Sequence, residues 1–310
     1  MSAPAGPGSS AAFMVARPDG AALPIYAYGG PAQAPAVLFG HANGLAAGSY
    51  APWLAELAGM LRVFAFDARG HGGARWPEGA LEAVFAVDRF ADDLALVAGN
   101  IAARLRGAPL HYAGHSLNAA AALRLAARGA PQPWSGSLLF EPPIFPPADS
   151  PHHAEAAEKQ TLLITRSAAR RAQWPDPAAL AALLRGRGAF VRFRPDLLDA
   201  HCRATLRPLA DGGYTLCCPP AVESAIFQSH RLADTWRRLP RLRAPIHLVS
   251  GDPALPDRGW VSACMADMAA QLPRAQLTVL AGAGHMMIFE QPDACRDLVL
   301  AMATSHAQGA

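Results

Sequence analysis

Lysine is nearly missing from this chain. Lys159 is the only one among 310 residues, so the rest of the 27 basic side chains are arginines, and the net charge is only +3. The arginines are spread among alanines with no compact basic run. Without such a cluster there is no electrostatic footprint for nucleic acid, and no nucleic-acid partner is expected. The alanine and arginine bias is genome composition, not chemistry. Cysteine is scarce and odd in number: Cys202, Cys217, Cys218, Cys264 and Cys295. None has metal-type spacing, and the adjacent Cys217 and Cys218 could not easily bridge each other, so reduced thiols in a cytoplasmic protein are expected. The first twenty residues, MSAPAGPGSSAAFMVARPDG, have no basic residue and no apolar core segment before Arg17. They are expected to be neither a secretory signal nor a membrane span, and no membrane partner is expected. His152 and His153 are not read as a metal site, and neither a metal nor a cofactor is expected.

What is present is a core-rich globular composition, 52% hydrophobic and 16% charged, with strands and helices in alternation. AAFMVARPDGAALPIYAYG contains a hairpin signal at Asp19-Gly20. The short apolar run APAVLFG suits a strand buried on both faces. LRVFAFD, LHYAG and SGSLLF follow as further strands. RFADDLALVAGNIAARL has apolar residues at helical spacing, and LNAAAALRLAARGA is an alanine-rich helix. This pattern predicts an α/β fold: a mostly parallel sheet with helices on both faces. From about Pro142 to Arg243 the alternation stops, and proline-rich joints separate helices such as DPAALAALLRGRG and PAVESAIFQSHRLADTWRRL. Alternation resumes at PIHLVSG and ends in the helix DACRDLVLAMATSH. The expected organisation is a core over residues 1–147 and 237–310, interrupted by an inserted helical segment over residues 148–236. No internal repeat is present.

Three motifs carry chemistry. HYAGHSLNAAAAL places Ser116 between a strand and a helix in a near match to G-x-S-x-G, with Asn118 where the second glycine belongs. A sharp turn there lifts the serine oxygen above the sheet. FGHANGLAAG follows a buried strand, where a glycine-rich turn can aim a backbone N–H at an oxyanion. The expected donors are Asn43 and Leu117, with His41 beside them. AGAGHMMIFEQPD carries His285, a base for Ser116, close to the carboxyl end.

In this order, FGHANG, FDARGHG, GHSLN and GAGH resemble the α/β-hydrolase superfamily, of the type with a helical cap between the sixth and seventh strands. The resemblance covers nearly the whole chain. It implies a Ser-His-acid triad acting on a small-molecule acyl substrate: hydrolysis of a carboxylic ester, thioester or lactone. Asp67 and His71 fall in the family's structural turn after the fourth strand. Three carboxylates compete for the acid. Asp252, in DPALP after the seventh strand, is favoured over Glu141 at the end of the sixth, with Asp257 third. Asn118 is expected to be a tolerated departure. Trp174, Phe190, Phe193, Phe227 and Trp236 are candidates either for an acyl pocket or for the cap's own core. The runner-up activity is carbon–carbon bond hydrolysis of a ring-fission dienoate, with Arg166, Arg170, Arg171, Arg192 and Arg194 as candidate carboxylate binders. A non-catalytic small-molecule binding protein is the alternative outside enzymes. Dehalogenase and epoxide hydrolase relatives carry aspartate where Ser116 stands, which disfavours both. The sequence does not indicate an oligomeric state.

Overall fold

The computed structural model describes residues 11–231 and 234–305. The reading of the amino terminus rests mainly on residues 1–10 and lies outside them.

The main sheet has eight strands. In chain order these are β1 (Phe13–Ala16), β2 (Ala22–Gly29), β3 (Ala36–Gly40), β4 (Arg62–Phe66), β5 (Leu110–His115), β6 (Ser137–Phe140), β10 (Ile246–Ser250) and β11 (Ala275–Val279). The intervening β7 (Gln173–Trp174), β8 (Leu206–Pro208) and β9 (Tyr214–Leu216) lie in the insertion. The spatial order is β1-β2-β4-β3-β5-β6-β10-β11. The pairs β1–β2 and β2–β4 are antiparallel and all others parallel. Every residue of β3, β5 and β6 is buried. Burial on both faces is why β3 and most of β6 are continuous apolar runs rather than alternating ones, while β5 buries two histidines, His111 and His115.

One face of the sheet packs the helices Val87–Arg104, Leu117–Ala127 and Trp260–Gln271 around Phe90, Leu94, Leu123 and Met268. The other packs Ala51–Leu57 and Pro292–Ser305 around Trp53, Leu54, Phe289 and Val299. The turn after β4 is pinned from inside. Arg69, fully buried, donates two hydrogen bonds to Asp93, at 2.6 and 2.8 Å, and one to the Val84 carbonyl. Asp67 accepts from the Ala47 and Gly73 N–H groups and from the Tyr26 hydroxyl.

The segment between β6 and β10 is not purely helical, as the sequence suggested. The antiparallel strands β7, β9 and β8 form a small sheet within it. Strands of two or three residues are too short to show a period of two. The run PAVESAIFQSHRLADTWRRL, expected as one helix, holds two: Pro220–Arg231 and Thr235–Arg238. Prolines open the helices at Pro177, Pro195 and Pro220, where the missing N–H costs nothing, and Asp176 caps the first of these at Ala179. The insertion is fastened to the sheet domain by Arg192 on Glu290, Arg194 on Glu56 and Glu155 on Arg258. Lys159 Nζ donates to the Arg258 carbonyl at 2.9 Å and pairs with Glu155 at 2.8 Å. Phe193 stacks on Phe289 with ring centroids 4.5 Å apart.

Candidate active site

Strand register brings the chemistry together. Gly40 of β3 is level with Gly114 of β5, His115 with Phe140 of β6, and Phe140 with Val249 of β10. The residues just past these strand ends, His41, Ser116, Glu141 and Gly251, therefore meet at the carboxyl edge of the sheet, where α/β proteins place their sites.

Ser116 has φ 52° and ψ −109°, a conformation rarely open to an L-residue. Its N–H donates to the Phe140 carbonyl, extending the sheet by one bond, and its carbonyl accepts from Ala120 in the next helix. A strained residue so anchored at both ends is a nucleophile elbow in geometry. The bulk of Asn118 is accommodated by β3. A Cβ on Gly40 would come within 2.5 Å of the Asn118 Cβ, so the small residue that the elbow needs stands on the neighbouring strand. Asn118 is more than a tolerated departure. Its Nδ2 donates to the His41 carbonyl at 2.7 Å, tying the start of the helix to the glycine-rich loop.

The Ser116 hydroxyl lies 3.1 Å from His285 Nε2, and His285 Nδ1 lies 2.6 Å from Glu141 Oε2. With Nδ1–H donating to the carboxylate, Nε2 accepts from the serine. Glu141 is wholly buried, and its other oxygen accepts from the Gly251 N–H at 2.7 Å and from Ser262 Oγ at 2.5 Å. Gly251 is confined to glycine, because a Cβ there would meet two carbonyls at 2.9 Å. Ser262 and the Gly251 amide were not singled out from the sequence, since only the fold brings them to residue 141.

The carboxylate that the sequence favoured stands elsewhere. Asp252 accepts from the Gly282 and Ala254 N–H groups, both at 2.9 Å, and makes no bond to His285. Those two bonds hold its carboxyl below the usual range. Its backbone N–H donates to Ala283, so Asp252 braces the loop that carries His285 without reaching the imidazole. Asp257 is exposed and pairs with Arg192 at 3.3 Å.

The glycine-rich loop is held from several directions. Ala42 N–H donates to the Tyr50 hydroxyl, Gly44 to His71 Nε2, Leu45 to Ala42, Ala46 to Ser49 Oγ and Ala47 to Asp67. Among the described residues, the Asn43 N–H and the Leu117 N–H, the latter at the first helical position, have no such partner. The Asn43 side chain reaches into the insertion and donates to the Glu223 carbonyl at 3.0 Å. His41, expected beside the donors, is turned away from any ligand. Its Nδ1 donates to the Ala42 carbonyl and its Nε2 accepts from Ala68 N–H, and burial lowers its pKa.

The aromatic residues of the insertion serve mainly as packing. Trp174 and Phe193 join the core that includes Phe289, Phe190 stacks on His201, and Trp236 is buried against the other face. A cavity of about 520 Å³ opens on the far side of the glycine-rich loop, lined by Tyr26, Tyr28, Asp67, Arg203, Tyr214 and Cys217. Ser116, His285 and Glu141 do not line it. Among the described residues no cluster of side chains is arranged to hold a metal, and no helix is long and apolar enough to cross a membrane.

A family model described as "Alpha/beta hydrolase family" matches residues 37–298, most of the chain. The chain belongs to the alpha/beta hydrolase family. Solved structures share its fold at low identity. E-2-(acetamidomethylene)succinate hydrolase superposes with a TM-score of 0.73 at 21% identity, covering 94% of this chain and 99% of the other. The thioesterase domain from the curacin biosynthetic pathway gives 0.67 at 20%, covering 94% and 100%. An M. tuberculosis esterase gives 0.64 at 23%, covering 93% and 89%. No curated protein sequence is similar enough to match. This alpha/beta hydrolase thus has its fold in common with enzymes of several activities.

Proposed function

We propose that this alpha/beta hydrolase is a serine hydrolase that cleaves a small carboxylic ester, thioester or lactone. The observation that carries the reading is the Ser116–His285–Glu141 chain, 3.1 Å then 2.6 Å, with its carboxylate fully buried. Ser116 Oγ attacks the acyl carbon while its proton passes to His285 Nε2. Glu141 fixes the tautomer and stabilises the imidazolium. The tetrahedral oxyanion takes the free N–H groups of Asn43 and Leu117. Its collapse breaks the bond to the leaving alcohol or thiol, which receives the proton from His285 and leaves an acyl-Ser116. Water then attacks by the same route in reverse, releasing the acid. Residues 148–236 act as a cap over the site. Five free, buried thiols suit a reducing, cytoplasmic setting.

The ring-fission alternative asks for cations facing the substrate. Arg170 is paired with Glu223, Arg192 with Glu290, and Arg194 with Glu56 and Asp196, while Arg171 lies over the Trp174 ring. These pairings favour an uncharged acyl group. The test is a series of p-nitrophenyl esters of increasing chain length, with Ser116→Ala as control. A fluorophosphonate probe separates the enzyme from a pure binding protein, which would take no label. Absence of both turnover and labelling would remove the reading.

A further inference from the structure

His115, the residue before Ser116, is fully buried and touches neither the Ser116 hydroxyl nor Glu141. Its two ring nitrogens bridge other parts of the site. Nδ1 lies 2.7 Å from the Tyr50 hydroxyl, and Nε2 lies 2.9 Å from the backbone carbonyl of His285. The Tyr50 oxygen in turn accepts the Ala42 N–H at 3.2 Å.

The direction of every bond is forced. A carbonyl only accepts, so Nε2 carries the proton. Burial, with His285 nearby, brings the His115 pKa down to about 3, so the ring is neutral and has that one proton only. Nδ1 is therefore bare and accepts from Tyr50, whose pKa burial raises and which stays a phenol. The Tyr50 oxygen is left to receive the Ala42 amide. The result is one unbranched chain: Ala42 N–H to Tyr50, Tyr50 O–H to His115, His115 N–H to the His285 carbonyl. Such chains polarise one another in the same direction. The Tyr50 ring is fixed by Phe39 and Phe289, each with centroids 4.7 Å away.

We infer that His115, with Tyr50, is a positioning residue that sets the main chain of the base His285 against the elbow and against the loop bearing the Asn43 amide. The inference rests on the serine-hydrolase reading above. Ala42 immediately precedes Asn43, and His115 immediately precedes Ser116. The relay thus ties the neighbour of the oxyanion donor, the neighbour of the nucleophile and the base's own backbone into one unit. No link of it contacts the substrate.

The test compares His115→Ala, His115→Gln, Tyr50→Phe and the double variant Tyr50→Phe/His115→Ala by kcat and KM on a p-nitrophenyl ester. A small displacement of reacting groups costs up to about 100-fold. His115→Ala is expected to lose kcat on that scale with KM nearly unchanged. Gln places an N–H where Nε2 stood, so His115→Gln should recover most of the loss. The double variant should be no slower than His115→Ala, because both changes break one chain. The inference is overturned if KM rises while kcat holds, if His115→Gln is folded yet as slow as His115→Ala, or if the two losses multiply. Should His115→Ala fail to fold, the Gln and Phe variants carry the comparison alone. A readout independent of turnover is the far-downfield proton resonance of His285 Nδ1–H. It should broaden or vanish in Tyr50→Phe and persist in His115→Gln; a sharp, unshifted signal in Tyr50→Phe counts against the relay. If the wild type neither hydrolyses esters nor takes a fluorophosphonate, the proposed function fails, and this resonance still decides the relay.

Discussion

Glu141 and His285 are 144 residues apart, and their side chains meet at 2.6 Å inside the protein. Glu141 has φ 41°, so the backbone is bent out of the ordinary range to turn the carboxylate toward the histidine loop. Its second oxygen is held by Ser262 and the Gly251 amide, with the first on His285.

Glu141→Gln is therefore expected to lower kcat by about ten-thousand-fold, the loss typical when the orienting acid fails. Asp252→Asn should stay close to wild type in kcat and lose only some loop stability. Parallel kinetics on the two variants decide between them. The reverse pattern would return the acid to the position after β10.

Ser116→Ala should abolish turnover, by on the order of a million-fold in kcat, without loss of fold. Thermal melting should rise slightly if anything, since alanine relaxes little of the strain but removes a polar group from a mostly buried site. Retention of activity would show that another residue is the nucleophile.

Asn118→Gly would restore the usual glycine, and yet it is expected to harm this protein. The buried His41 carbonyl would lose its donor, at a cost of about 1–3 kcal/mol, and glycine would further weaken the first turn of a helix. Urea unfolding should report the destabilisation, and kcat should fall as the glycine-rich loop loosens. Asn118→Asp, which cannot donate, should behave alike. An unchanged or faster Asn118→Gly enzyme contradicts this account.

Arg69→Met should cost about 3 kcal/mol, near the low end for breaking a buried pair. Asp93 loses its bidentate partner but keeps Arg17 at 3.1 Å. The loss should appear in the denaturant midpoint while ester kinetics of the folded fraction are unchanged.

Stability should fall on the acid side. Burial brings His71, His115 and His201 down to about 3 and His230 to about 4, against the ordinary 6.5. Between the folded and unfolded values the unfolded chain binds the extra protons. The stabilisation is thus complete above pH 6.5 and drains away as pH falls toward 3 or 4. Each site contributes about 1.4 kcal/mol per pH unit once fully titrated in the unfolded chain. Melting temperature should be flat from pH 8 to 7 and drop below pH 6 more steeply than one histidine allows.

The parts legible in the sequence were the local ones. Ser116 directly follows the end of β5 and His285 lies in the glycine-flanked loop after β11, and strand burial wrote β3 as an apolar run. The contact of Glu141 with His285 was not legible, because DPALP mimics an acid loop in composition while the contacts that hold Glu141 come from Ser262 and Gly251, more than a hundred residues away. Gly40 and Asn118 exchange bulk between a strand and a helix, a relation no spacing along the chain expresses. His41 looked like a ligand-facing residue because it is polar in a glycine-rich loop. The backbone groups of Ala42 and Ala68 that occupy it are visible only once β4 lies beside β3.

Lys159 has one further consequence. It is the chain's sole side-chain amine, it belongs to the helix His153–Ala168 of the insertion, and it is fastened across to the Arg258 carbonyl. An amine-directed fluorophore would consequently label one internal position, where the insertion meets the sheet domain. Attachment requires that the ammonium first let go of the Arg258 carbonyl, so the labelling rate reports how often that contact breaks. A reporter on that contact is thus built into the composition, with no engineered residue needed to read it.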